Sequence, residues 1–488
     1  MVVTPTTYLN LGRVGAQQVL LSFDGEEVVT DTGLLAVRAV EKSLGILTEL
    51  AARLPDPRAR KYTQHTAEAI LTQEVYQILA GYPDFDDAHA TRTDPLFQLL
   101  ADGAPDPQHP LASPSTLARF QYAFTRRQAE LPLEERPVTG EVQQALTQRL
   151  KIINAYLVDL FIRTRRQAPT EIILDADATD DPVHGRQTLS AYHGYFRQHQ
   201  YFPLLVYDGA SGFPLAAWLR PGTVHASAGA AASLEPIVTA LRAAWPGVPI
   251  TLRADNGLAV AELYTFCETH DVRYVFGYAT NPVLERATAQ ALADVELYYQ
   301  FYGRREPHVQ RFEEIRDYQA DSWPHPRRIV AKIERTPQGS QRRFVVSDRQ
   351  EAPALLYRDW YVQRGAVPEQ PIGEMKNGLQ ADRLSACGFR ANAFRLLVHT
   401  VAYAIVVLFR EAVAAIPEIA TASVSTLRQR LWKIGAVLRV GARRVWLQVS
   451  AQWPHRALWQ QVWQAVQSAV ADWTRTTAPP MACTALLS

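Results

Sequence analysis

Residues 171–179 read EIILDADAT, and the fold turns on how they are read. An apolar, β-branched opening gives way to two acids, Asp175 and Asp177, with one alanine between them. Successive side chains of a strand face opposite ways, so the two acids share a face and Ala176 lies on the other. A second run, PITLRADNG (249–257), also closes an apolar strand with an acid, Asp255. Carboxylates at the carboxyl ends of neighbouring strands mark many α/β active sites. Converging carboxylates repel one another and need a cation, and all-oxygen ligands suit Mg²⁺ or Mn²⁺ rather than Zn²⁺. An Asp at a strand end is also a common turn or cap residue, so no one of these acids decides the matter alone.

Around these strands the texture is α/β. A two-stranded pattern (YFPLLVYDGASGFPLAAWL), an amphipathic helix (SLEPIVTALRAAW), the Asp255 strand, a helix (AVAELYTFCETHDV) and a strand (RYVFGYATN) follow in order. Upstream, 1–165 reads as a separate, mostly helical domain with a short hairpin at 15–31 turning at Asp24-Gly25. The core then occupies 166–282 and 353–415, interrupted by a β-rich insertion at 283–352, and 416–488 reads as basic and helical. The apolar stretch LLVHTVAYAIVVLF, short for a bilayer span and carrying His399, reads as a buried helix.

Composition is that of a globular protein of several domains: 488 residues, 47% hydrophobic, 20% charged, net charge +1. Cys267, Cys387 and Cys483 are too widely spaced for a zinc motif or a disulfide framework, which points to a reducing compartment. No signal pattern opens the chain, and a cytoplasmic location is expected. Charge is unevenly placed. No Asp or Glu occurs from 419 to 471, a stretch that holds Arg439, Arg443 and Arg444 among its basic residues. A second basic region spans 304–349. Both are either polyanion footprints or solvated helix faces.

The third acid comes from YVQRGAVPEQPIGEMKNG (361–378). On a helix, Glu369 and Lys376 lie two turns apart on one face, whereas Glu374 points elsewhere. Arg364 can grip a phosphate bidentately and Tyr361 can donate a hydrogen bond to one. Taken alone, this run could equally be a charged helix surface.

The ordered set resembles the DDE transposases of bacterial insertion sequences, in the branch whose third acid lies in a Tyr-x2-Arg-x3-Glu-x6-Lys signature. Tyr361-x2-Arg364 and Glu369-x6-Lys376 fit, with one extra residue between Arg364 and Glu369. LDADATDDPVHGRQ, TLRADNGLA and DRLSACGFRANAFRLLVHTVAYAI are similar to blocks of one subfamily, and the resemblance spans about 30 to 465. It implies an RNase H-like catalytic core with Asp177 (or its rival Asp175), Asp255 and Glu369 as catalytic, metal-binding acids for two Mg²⁺ or Mn²⁺ ions. It further implies Tyr361, Arg364 and Lys376 on DNA phosphates, and Trp323 as an aromatic platform for a base extruded on a hairpin route, core packing being the other reading of that Trp. Double-stranded DNA at the element's terminal inverted repeats, target DNA and a homodimer are the implied partners. Ser115, Thr116, Arg119 and Gln121, on a helix resembling the second of a helix-turn-helix, and the C-terminal arginines are the candidate DNA-end contacts. A nuclease that cuts without joining, and an inactive DNA-binding derivative, are the competing readings; a phosphohydrolase of small substrates does not account for the basic segments.

Overall fold

The computed structural model describes residues 9–14, 16–22, 24–56, 58, 63–122, 140–185 and 187–476, without the side chains of 140–146, 365–369 and 474–476. The N-terminal hairpin pairs β1 (Leu9–Val14) with β2 (Gln17–Leu21), so it turns between Val14 and Gln17 rather than at Asp24-Gly25. A short β3 (Val28–Val29) follows. The next helical pattern splits into α1 (Leu34–Ser43) and α2 (Ile46–Arg53), because Gly45 between them adopts a left-handed φ of 59°. Helices α3 (Ala67–Ala80), α4 (Pro95–Leu100), α5 (Pro114–Gln121) and α6 (Gly140–Thr164) complete the N-terminal part. Thr66 starts α3 by accepting the Ala69 N–H at 3.1 Å, and Asp94 starts α4 in the same manner.

The central element is one eight-stranded sheet. It takes β4 (Ile172–Ala178), β8 (Leu204–Asp208), β9 (Pro214–Trp218), β10 (Ile250–Ala254) and β11 (Val272–Tyr278) in the order β9-β8-β4-β10-β11. β10 is parallel to both β4 and β11, while β8 and β9 run antiparallel. Every residue of β10 is buried, as expected of a central parallel strand covered on both faces. The crossovers are α7 (Ala230–Ala244) before β10 and α8 (Ala261–Thr269) after it. Between β4 and β8 the chain makes a small separate sheet from β5 (Asp181–Pro182), β6 (Ala191–His193) and β7 (Gln198–Tyr201).

The segment expected to be a β-rich insertion begins instead with two helices, α9 (Pro282–Ala287) and α10 (Ala289–Tyr302). Its strands β12 (Val309–Tyr318), β13 (Arg327–Thr336) and β14 (Gly339–Ser347) then continue the main sheet, β14 pairing antiparallel with β11. They cover the row of unpaired backbone groups that β11 would otherwise expose. The motif segment forms α11 (Val362–Gly373), flanked by wider π-helical turns at Leu356–Tyr361 and Glu374–Gly378.

Helix α12 (Phe389–Ala412) holds the apolar run, and its most apolar window is wholly buried, as a helix hydrophobic on all sides must be. It packs with α6 against β9 and receives α1 and α3 on another side. Buried side chains from Val29 to Trp473 form one contiguous cluster, so the N-terminal helices share the core of the sheet instead of standing apart. The C-terminal region is not wholly helical. β15 (Ala436–Val440) and β16 (Val445–Val449) form a hairpin on β3, and α13 (Arg456–Thr476) follows. The alternation in AVLRV and VWLQV around the turn at Gly441 is the signal for it.

A polar cavity of about 10 Å³ lies between α3 and α12, lined by Glu74, Gln121, Arg395 and His399. Burial lifts the Glu74 carboxyl to about 7 from its usual 4.5, against the hydrogen bond from Gln121. Between those values the folded chain holds a proton that the unfolded chain has released, so stability falls as pH rises. Burial pushes His399 down to about 3, which gives the opposite slope at lower pH. Glu74→Gln removes only the first effect. Denaturant unfolding should show the variant gaining on the parent from pH 4.5 to 8, by on the order of 3 kcal/mol.

Candidate active site

Register brings the strand-end acids together. In the parallel β4–β10 pair, Asp175 lies opposite Arg253 and Ala176 opposite Ala254. The next position on each strand is Asp177 and Asp255, on strands about 4.8 Å apart. Alternation puts both acids on the face that carries Asp175 and Arg253. The Asp177 side chain retains 17% exposure, and Asp255 is half-buried. Asp255 accepts the Gly257 N–H at 2.9 Å, which fixes the turn after β10. A Cβ at Gly257 would sit 2.9 Å from the Ala226 Cβ, so this approach needs glycine.

One pleat below the acids lies a buried ion pair. Arg253 donates from Nε and Nη2 to the two oxygens of Asp175, each at 2.6 Å, and from Nη1 to the Trp360 carbonyl at 3.1 Å. Gly209 closes over the pair: a Cβ there would come 2.7 Å from Asp175 Oδ2 and 2.8 Å from Arg253 Nη2. Burial raises the Asp175 pKa, and Arg253 opposes that rise. The sequence left Asp175 and Asp177 as rivals. Asp175 is fully enclosed, with both oxygens taken by Arg253, and only Asp177 opens to solvent.

The motif helix meets this edge. Arg364 Nη1 lies 3.8 Å from Asp177 Oδ2, and its guanidinium is 5.6 Å from the centre of the Tyr361 ring. Arg364 Nε is buried without a hydrogen-bond partner. The Tyr361 hydroxyl lies against Gly277, since a Cβ there would come within 2.6 Å of it and 3.2 Å of the Asn256 nitrogen. Tyr361, Arg364, Asp177 and Asp255 therefore share one edge of the sheet, although their positions span 185 residues from Asp177 to Tyr361 and beyond. Glu369 lies on α11, and its side chain is outside the described residues.

Lys376 lies on the π-helical turn that follows α11. A π-helical turn carries more residues than an α-helical one, so the step from Glu369 to Lys376 is not a strictly α-helical seven residues. Lys376 Nζ donates to Asp180 Oδ1 at 2.8 Å. Glu374 points into the core and is held by Arg410 through two bonds of 2.8 Å and by the Tyr403 hydroxyl at 3.0 Å.

Other candidates do not join this edge. Trp323 is 4% exposed and packed among Tyr264, Tyr278 and Tyr318 with Arg327 over its ring, so it offers no open face to a base in this conformation. Gln121 is buried and donates to Glu74 at 2.7 Å, which removes it from groove contact. Arg119 folds back on the Ser115 carbonyl and the Thr116 hydroxyl, both on α5. Arg439 pairs with Glu26 at 2.6 Å, while Arg443 and Arg444 are exposed in the β15–β16 turn. Sequence reading missed Arg253 and Asp180. An Arg inside an otherwise apolar strand was the available signal for the first.

Two solvent-facing carboxylates at equal heights on neighbouring strands form a hard, all-oxygen donor set that fits Mg²⁺ or Mn²⁺. Among the described residues no three His, Cys, Asp or Glu side chains form a ready metal cage, and Glu369 is the acid that α11 would add.

The family model described as Transposase DDE domain group 1 matches residues 11–471, and the chain belongs to that family. No curated protein matches the chain. Among solved structures, a cryo-EM structure of a piggyBac transposase synaptic complex with hairpin DNA is similar at 13% sequence identity and a TM-score of 0.38, over 93% of this chain and 83% of that one.

Replacing Arg253 with Met would leave Asp175 buried and unpaired and free the Trp360 carbonyl. Loss of one partner of a buried ion pair costs about 3–5 kcal/mol. Urea unfolding should register that loss; a loss under 1 kcal/mol would show that the pair does not hold the strands.

Proposed function

We propose that the protein is a DNA transposase with an RNase H-like core, which binds the terminal inverted repeats of its element, cleaves the DNA at its ends and joins the freed 3′-OH groups to target DNA. The observation that carries this reading is the meeting of Asp177 and Asp255 with Arg364 and Tyr361 at one sheet edge, in a chain of the DDE family. Strand order supports it as well, with the first acid on the first strand of the core and the second just after the fourth.

Asp177, Asp255 and Glu369 would hold divalent cations, Mg²⁺ or Mn²⁺, which when bound offset the charge that builds on a phosphodiester under attack. The chain's own residues do the rest. Arg364 presents a fork of donors beside Asp177 and suits a phosphate bidentately. Tyr361 adds a hydroxyl donor, and Lys376 a second cationic group, steadied by Asp180. Water is the first nucleophile and frees a 3′-OH. That hydroxyl is the second nucleophile, on the opposite strand to give a hairpin or on target DNA. Two DNA ends brought together call for two protomers, so a homodimer on DNA is part of the proposal.

The test uses a plasmid carrying the coding sequence with its native flanking DNA, full-length protein and Mg²⁺. The parent should excise and rejoin the segment. Asp177→Asn, Asp255→Asn and Glu369→Gln should each lower cleavage at least about a thousandfold, as loss of a main electrostatic group does, while end binding persists in a gel shift. Full cleavage by Glu369→Gln would remove it as third acid. Cleavage without joining of a pre-cut 3′-OH end would make the protein a nuclease instead.

A further inference from the structure

Between β4 and β8 the chain leaves the main sheet one residue after Asp177 and builds the hairpin β6–β7. Its tip is aromatic and open. Tyr195 is 84% exposed and Tyr192 55% exposed, with Arg197 and His199 also at the surface. Phe196 stands edge-on behind Tyr195 at 4.9 Å and rests in turn on His193 and Phe202, so the tip is propped from below. Arg197 holds a left-handed φ of 54° and donates its N–H to the His193 carbonyl at 2.8 Å, a conformation that non-glycine residues adopt seldom. The tip's shape is thus set by local bonding and ring packing.

Charge points to the kind of partner. Residues 182–207 contain no Asp or Glu, but include arginines and three histidines, His184, His193 and His199. Exposed rings among basic groups, in a stretch of chain without acids, form a surface for a nucleic acid, the rings meeting base faces and the arginine a phosphate. In an intact duplex the base faces are covered, so such a ring engages DNA where bases are unpaired or a step is opened.

The hairpin is also wired to the active edge. Gln198, on β7, donates to Asp180 Oδ2 at 2.9 Å, and the other oxygen of Asp180 holds Lys376. The hairpin is anchored behind by Thr188, whose N–H reaches the Cys387 carbonyl at 3.1 Å, and by Gln187, which donates to the Leu384 carbonyl at 2.6 Å.

We propose that the β6–β7 tip is a DNA-contacting finger, in which Tyr195 stacks on an unpaired base beside the reacting phosphodiester and Arg197 holds the adjoining phosphate. The proposal rests on DNA being the substrate. It assigns the finger to positioning of DNA, with no part in the chemistry itself.

Fluorescence anisotropy of the full-length protein would compare a fluorescein-labelled, mixed-sequence duplex carrying a single-stranded flap with the same duplex lacking the flap. Tyr195→Ala should weaken flap-duplex binding about tenfold and leave the plain duplex within twofold, and Tyr195→Trp should restore the preference. Arg197→Gln should weaken both and flatten the salt dependence of log Kd by about one unit. Equal affinities for parent and Tyr195→Ala on both probes would overturn the finger; a shift in oligomeric state with that same variant would overturn it in favour of contact between copies of the chain. Cleavage by the parent separates the two proposals. A flap preference without any cleavage keeps the finger and sinks the transposase reading, whereas cleavage with equal affinities sinks the finger alone.

Discussion

The Arg253–Asp175 pair fixes the relation of three parts of the chain that lie far apart in sequence. It clamps β4 to β10 and reaches the Trp360 carbonyl at the head of the motif segment. Each half would be costly alone in so dry a place, and each becomes tolerable only with the other. The geometry above the pair follows from it. With Asp175 and Arg253 in register, Asp177 and Asp255 can only stand side by side, and the Tyr361–Arg364 turn can only approach from the Trp360 side. Gly209 and Gly277 are the complement of this constraint, because each leaves the space that a charged or phenolic group fills.

Much of the core was legible. Asp177 and Asp255 were readable because apolar strands ending in acids follow a simple period, and because buried parallel strands leave few other uses for such acids. The great apolar helix α12 was readable for the same reason. What escaped was set by context. Lys376 was placed by counting α-helical turns, but the backbone widens at Glu374–Gly378, and periodicity cannot report a change in the helix that carries it. Gln121 looks like a surface residue by type and Trp323 was open between a platform and the core, yet each finds a partner far off in the chain, Glu74 for the first and Tyr264 for the second. The hairpin β15–β16 was lost because its strands are only five residues each, in an acid-free region whose arginines were read as a helical face.

The two π-helical turns flank α11 on both sides, and their positions are informative. One ends at Tyr361 and the other contains Lys376, so both changes of pitch fall on residues of the signature. Such turns are energetically poor and recur at functional sites, where they redirect a side chain without breaking the helix. Here the second turn sends Glu374 into the core toward Arg410 and brings Lys376 to Asp180. Prolines at 368 and 371 add to the departure from regular pitch, since neither can donate to a preceding carbonyl.

The outer strands continue the same sheet that bears the acids, and this turns a topological detail into a measure of length. A module joined by loops could swing; three strands bonded edge to edge cannot slide or hinge without breaking their ladders. From β10 to β12 there are four strand steps, or roughly 19 Å at the usual spacing. That is about half a turn of duplex DNA. A body laid across this sheet would meet the outer strands at a distance from the acids that the strand ladders hold fixed.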